Sequence, residues 1–203
     1  MIAVLAVGTV SVPTAWAQAK GAAPPYFAIK GAKIVTVSGG VIENGTVVVA
    51  NGLVAAVGVD AKIPPEAWVI DGKGMTVYPG LIDAMTDVGL PAAGELAAAG
   101  VKIAFATFDI EFVRRLPSEA GQAVGYGLSQ DDALKAVTIN PAQMFGLDKE
   151  LGTIEQGKIA NIIVTTGDPL ELQTDVRYLF IKGQLTSTDN KHRQLYEKYR
   201  VRP

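Results

Sequence analysis

Cysteine is absent from this 203-residue chain and histidine occurs once, at His192. The first absence excludes disulfides, thiolate metal sites and a thiol nucleophile. The second leaves no pair of imidazoles to hold a metal ion and deprives a Ser-His-Asp triad of support, the more so because no Ser-centred nucleophile elbow is present. Aromatic residues are few, at 7%, and no apolar run is long enough to cross a bilayer as a helix. Neither sign of charge dominates. Eighteen Lys and Arg face twenty Asp and Glu for a formal net charge of -2; they are interspersed, with no basic stripe, so no nucleic-acid partner is expected. What remains is 49% hydrophobic and 19% charged, a balance that buries a real core.

The N-terminus speaks to compartment. Met1 to Val12 is apolar and small, Pro13 breaks it, and Ala15-Trp16-Ala17 offers the small-x-small pattern of a signal-peptidase site. Residues 1–17 are therefore expected to be a signal peptide, with Gln18 the first mature residue, although the usual positively charged start is missing. The expectation is an exported protein, periplasmic or secreted. Residues 18–25 read as a linker of small residues and Pro, so folding should begin near Tyr26.

From Tyr26 to Tyr78 the chain reads as short strands. Ala32 to Val37 is rich in β-branched residues, Gly39-Gly40 turns it, and Val47-Val48-Val49 follows a further turn at Glu43-Asn44-Gly45. Asn51-Gly52 is the clearest hairpin signal, because a two-residue type I′ loop needs positive φ at both positions. Trp68-Val69-Ile70 and Met75 to Tyr78 read as two more strands, separated by Asp71-Gly72-Lys73-Gly74. A second strand-rich block lies far off, with strands at Ile162 to Thr165 and Val176 to Ile181. Neither block alone covers its faces and edges. Pairing the two ends of the chain into one β-sandwich would do so and would bring together the ends of the intervening segment.

The middle of the chain turns helical. Pro91 to Gly100 is Ala-rich, Val101 to Thr107 is a short apolar strand candidate, and Glu119 to Tyr126 reads as a helix ending at Gly127. Ser129 is a good cap for a helix running to about Ile139, with Asp131 and Asp132 in its first turn. Asn140-Pro141 restarts a helix, with Asn as cap and Pro in the first position, and Gly146 stops it. Gly121, Gly125 and Gly127 fit no phosphate-loop spacing and read as packing and a helix stop. Asn190 to Arg200 is a charged, weakly amphipathic helix.

Several separated motifs now carry a family resemblance. Lys33-Ile34-Val35-Thr36, Glu43 to Val49, Asn51-Gly52, Asp71 to Gly74 and Tyr78-Pro79-Gly80-Leu81-Ile82-Asp83 are followed, in order, by Ala133 to Ala142, Gly152-Thr153-Ile154-Glu155-Gln156-Gly157-Lys158-Ile159-Ala160-Asn161 and Gly167-Asp168-Pro169-Leu170. Together they span Phe27 to Gly183, and the chain resembles imidazolonepropionase-like amidohydrolases. The resemblance implies an α+β fold in which residues 26–78 and 152–185 form a composite β-sandwich from both chain ends. Residues 79–151 then hold a shortened remnant of a (β/α)8 barrel, and residues 186–203 a tail helix. A complete barrel takes roughly 250 residues, so most of it cannot be present. Gly100 to Asp109 looks like the last barrel strand, following almost directly on the first.

The resemblance also implies chemistry: hydrolysis of C–N bonds in small-molecule amides or cyclic amides, by a hydroxide on a divalent metal such as Zn. In the family the strand ending in Pro-Gly-Leu-Ile-Asp runs into His-x-His, whose places hold Met85 and Asp87 here. A Met thioether is a soft ligand that suits Cu(I) rather than Zn. Asp109 stands where the family has its last-strand aspartate, which binds metal and takes the proton of the bound water, and it is the one candidate catalytic residue. A lone Asp is a weak base without a metal to acidify water, so capping or a solvated turn is its alternative role. Asp83 reads as a hydrogen-bond acceptor at a strand end, Met85 and Asp87 as packing or solvated residues, and His192 as a solvated tail residue. No metal ligands and no cofactor are assigned to this chain, and whether it is an enzyme stays open. An exported binding or partner subunit, and a gene fragment, stand beside the hydrolase reading. An exposed barrel remnant calls for a covering chain in a homo- or hetero-oligomer.

Overall fold

The computed structural model describes residues 26–84, 90–107 and 113–200. The signal-peptide and linker expectations, and the candidates Met85, Asp87 and Asp109, lie outside the described residues.

The fold is mixed α+β, built on one eight-stranded sheet. Strand β1 (Tyr26–Val35) starts earlier than the β-branched run announces, because the apolar Phe27 and Ile29 reach into the core beside Ile34. It pairs antiparallel with β2 (Val41–Ala50), which turns at Asn51-Gly52 into β3 (Leu53–Gly58). Asn51 and Gly52 have φ of 51° and 83°, the left-handed pair that a type I′ loop requires. The turn expected at Glu43-Asn44-Gly45 is instead part of β2. Register shifts on either side of Ala32 absorb those residues into the ladder, and Gly45 leaves room where a Cβ would sit 2.4 Å from the Ile34 Cδ1. Ladder bonds to a neighbouring strand here override local turn propensity.

The other edge of β1 is long enough for two partners laid end to end. Strands β4 (Trp68–Asp71) and β5 (Thr76–Pro79) both pair with it in parallel. Four helices follow: α1 (Leu90–Ala98), α2 (Leu116–Gly125), α3 (Gln130–Ala136) and α4 (Ile139–Met144). The chain then returns as β6 (Ile162–Thr165), β7 (Val176–Ile181) and the short β8 (Gln184–Thr186), an antiparallel run that adds to β5. Helix α5 (Lys191–Arg200) ends the described chain. Among the described residues no helix is long and apolar enough to cross a membrane.

Both ends of the chain therefore meet in one sheet, and the joint is β5 against β6. Its residues alternate between two cores. Val77, Ile162 and Val164 join Phe27, Ile34, Val47 and Phe180 on one face; Tyr78 and Ile163 join Phe105, Leu116, Leu134 and Val137 beneath the helices on the other. All four residues of β6 are buried, as expected of a strand covered on both faces. The first core is closed by the segment before β6. Gly157 donates to Val54 O at 2.8 Å, Val54 to Lys158 O at 2.8 Å and Ala160 to Gly52 O at 2.8 Å.

The helices depart from expectation at their ends. Ser129 caps α3, its hydroxyl oxygen accepting from the Asp132 N–H at 3.1 Å. The next helix begins at Ile139, one residue before Asn140, and its cap position is Thr138, whose hydroxyl turns back to Leu134 O at 2.7 Å. Asn140 is not the cap, because its amide reaches across to donate to Ile103 O at 2.8 Å. Gly121 packs α2 onto the loop after β6, where a Cβ would lie 2.6 Å from Leu170 O. Residues 101–107 are extended but form no regular ladder, since their bonds go to different partners.

Phe180 is fully buried and meets the Phe27 ring edge-on with centroids 5.3 Å apart. Phe180→Ala is expected to lower stability by about 3–5 kcal/mol, the usual cost of truncating a buried aromatic side chain. Urea unfolding of the two proteins checks this; a loss below about 1 kcal/mol would mean that this side of the sheet is not a packed core.

Candidate functional site

Beyond β5 the chain runs on as an extended segment, residues 80–84, that leaves the sheet and enters the helical layer. Three backbone donors on one side of it hold it there: Gly80 N to Asn161 O at 2.8 Å, Ile82 N to Val137 O at 2.8 Å and Ala84 N to Phe105 O at 2.9 Å. Phe105 in turn donates to Ala136 O at 3.1 Å. The end of α3 is thus wedged between two extended segments, 80–84 and 103–107, that touch directly at their far ends. Bonds to three different elements satisfy the backbone as a regular ladder would, which explains why Val101 to Thr107 is extended without being a strand.

The contact at the far end is made by side chains. One Asp83 oxygen accepts from the Thr107 N–H at 3.0 Å, and the other accepts from the Thr107 hydroxyl at 2.5 Å. Both residues are half-buried. Asp83 is the strand-end acceptor that its position announces. Thr107 was not singled out from the sequence, and the only signal for it was its place two residues before Asp109.

A second polar group lies where the chain returns to the sheet. The Lys158 ammonium donates to Asp148 O at 2.6 Å and to the Thr153 hydroxyl at 2.5 Å, and pairs with Glu155 at 2.9 Å. Only 12% of its side chain is exposed, and three acceptors use its three donors. The Glu155 carboxyl, held first by Lys158 and then by the Thr153 hydroxyl, lies below the usual carboxylate range. This cluster borders an open cleft of about 500 Å³ that Val37, Ser38 and Asn140 also line. Lys158 acts there as a clamp between loops, with no donor left for a ligand. Deeper in, burial and secondly the Asp168 carboxylate push the Tyr78 phenol up to about 12, so the neutral phenol is the form the fold holds.

The donors a metal ion needs are not gathered. Among the described residues no three of His, Cys, Asp and Glu stand close enough to share an ion. The Asp83 carboxylate is engaged by Thr107, and His192 lies in the exposed tail helix with its Nε2 3.1 Å from an Arg114 guanidinium nitrogen. The described residues therefore do not fit a divalent metal centre.

Comparison with known proteins follows the same outline. The family model described as "Amidohydrolase family" matches residues 82–188. An imidazolonepropionase of Geobacillus kaustophilus is 39% identical over 83 residues, covering 30% of this chain and 20% of its own length. An imidazolonepropionase of Sphingopyxis alaskensis is 33% identical over 107 residues, covering 50% and 26%. The chain thus spans about a quarter or less of the length of these curated relatives. Among solved structures, an amidohydrolase from Thermotoga maritima superimposes with a TM-score of 0.64 at 12% identity, covering 79% of this chain and 99% of that one, a likeness of fold.

Replacing Asp83 by Ala is expected to cost about 1–3 kcal/mol, because the half-buried N–H and hydroxyl of Thr107 lose their acceptor. Thermal or urea unfolding reads the effect. An unchanged midpoint would show that the Asp83–Thr107 pair does not hold the two segments together.

Proposed function

The chain belongs to the amidohydrolase family, and we propose that it keeps the family's framework without its hydrolytic centre. In this reading the eight-stranded sheet corresponds to the family's composite β-sandwich, assembled from residues 26–78 and 152–185. Residues 79–151 are the shortened barrel, with 80–84 in its first strand and 101–107 in its last. A closed barrel makes its first and last strands neighbours, and the Ala84 to Phe105 bond is the contact such a pair would keep.

By descent the protein is a hydrolase of carbon–nitrogen bonds other than peptide bonds, acting on small amides or cyclic amides. As this chain it is inactive. The single observation that carries this is the donor set: one histidine in the whole chain, and no three-ligand cluster among the described residues. In the family a metal ion supplies the activated water. Here Asp109, two positions after Thr107 in the sequence, is the remaining candidate general base, and an unassisted carboxylate meets water as a weak one. The protein is exported in this proposal, and substrate choice is not fixed by the fold.

A second reading, an exported partner or binding subunit, draws on the surface at the end of α4. Met144, Phe145 and Leu147 are 45%, 54% and 40% exposed within four residues, a small apolar cluster open to a partner. A gene fragment without function of its own is the remaining alternative, and aggregation of the purified chain would identify it.

The dialysed mature chain is expected to carry well under one equivalent of Zn, Mn or Fe by elemental analysis. It is also expected to hydrolyse no amide or cyclic amide above a buffer blank when Zn is supplied. Stoichiometric metal together with chelator-sensitive hydrolysis would overturn the proposal.

A further inference from the structure

The even mixing of charge along the chain ends at residue 190. Residues 191–203 contain Lys191, Arg193, Lys198, Arg200 and Arg202 against the single acid Glu197, a formal charge of +4; the 190 residues before them carry -6. Most of this tail is helix α5, which among the described residues reaches the rest of the chain through His192, its Nε2 3.1 Å from an Arg114 guanidinium nitrogen. Its N-terminal half overhangs the start of β7 across a cleft of about 550 Å³ bordered by Asp175, Val176, His192 and Tyr196.

Helical geometry sorts its residues. At 3.6 residues per turn Leu195, Tyr199, His192 and Tyr196 fall within an arc of roughly 100°, the width of an apolar stripe. Lys191 and Lys198 border the arc on one side and Arg200 on the other. The apolar side chains stay open to solvent: Leu195 is 40% exposed, Tyr196 63% and Tyr199 52%. The Lys198 ammonium lies over the Tyr199 ring, 5.3 Å from its centroid.

We propose that α5 is a docking helix for an anionic lipid surface. A cationic strip for nucleic acid needs no apolar face, whereas here the cations flank one that carries two tyrosines. That arrangement suits a helix lying in the plane of a membrane interface, with phenols at headgroup level and long basic side chains reaching back to the phosphates. The negative body adds orientation, since the same lipid charge that attracts α5 repels the remaining residues and directs the tail toward the surface. This inference is independent of whether the chain hydrolyses anything.

The test is sedimentation of the full chain with vesicles, phosphatidylcholine alone against about one-third phosphatidylglycerol, at about 0.05 M and about 0.5 M salt. Neutral vesicles report any binding by the apolar residues 1–12, so the charge-dependent excess is the readout. It is expected to exceed neutral binding more than tenfold at low salt and to vanish at high salt. Each cation near such a surface strengthens binding about fivefold, so a Lys198→Glu, Arg200→Glu double variant should lose at least about twentyfold. Leu195→Ser with Tyr199→Ser keeps every charge and should still lose several-fold, while the melting temperature of both variants matches the parent. No charge-dependent excess, or an excess that the Leu195 and Tyr199 changes leave intact, overturns the proposal. Equal retention by poly-glutamate or duplex DNA overturns it too, in favour of an acidic macromolecule.

Discussion

The antiparallel joint between β5 and β6 is the constraint on which the rest of the structure depends. It sets Thr76 opposite Thr165 and Pro79 opposite Ile162, closing a loop of more than eighty residues with four residue pairs. Such a closure carries an entropic cost that grows slowly with length, so it persists only if burial offsets it. Here the same few residues feed both cores, with Val77, Ile162 and Val164 facing one way and Tyr78 and Ile163 the other. Separating the two strands would open both cores at once.

The joint also aims the site. Because β5 is held on both edges, by β1 and by β6, the chain leaves it in a fixed direction and residues 80–84 enter the helical layer where Val137 O and Phe105 O await their N–H groups. Asp83 then meets Thr107. The two segments 80–84 and 103–107 are tied at their far ends by this hydrogen-bonded pair. The Asp83 carboxylate is thereby committed to holding the two segments together.

Much of this was legible in the sequence, for identifiable reasons. Asn51-Gly52 specified its turn because only residues tolerant of positive φ fit there. Ser129 specified a helix start because its hydroxyl oxygen accepts a backbone N–H. Pairing of the chain ends followed from strands too few to cover themselves. What failed were the places where a distant partner outbids a local preference. Glu43-Asn44-Gly45 reads as a turn until β1 lies alongside, and Asn140 reads as a cap until Ile103 O is within reach. Val101 to Thr107 reads as a strand until its bonds are divided among Asp83, Ala84, Ala136 and Asn140. The short β8 left no signal, being three residues whose place is set by the turn at Lys182 and Gly183. The Asp83–Thr107 pair was half visible: the acceptor was evident, whereas its donor lies 24 residues away along the chain.

Native-state hydrogen exchange, followed by mass spectrometry of peptides covering residues 76–79 and 162–165, tests the account at its centre. If the two ends of the chain fold as one unit about this joint, both peptides exchange together, in the slowest class, and with the same denaturant dependence as the strands between residues 26 and 50. Rapid exchange of 162–165 while residues 26–50 stay protected would contradict it, because the N-terminal strands would then be folding without the returning half.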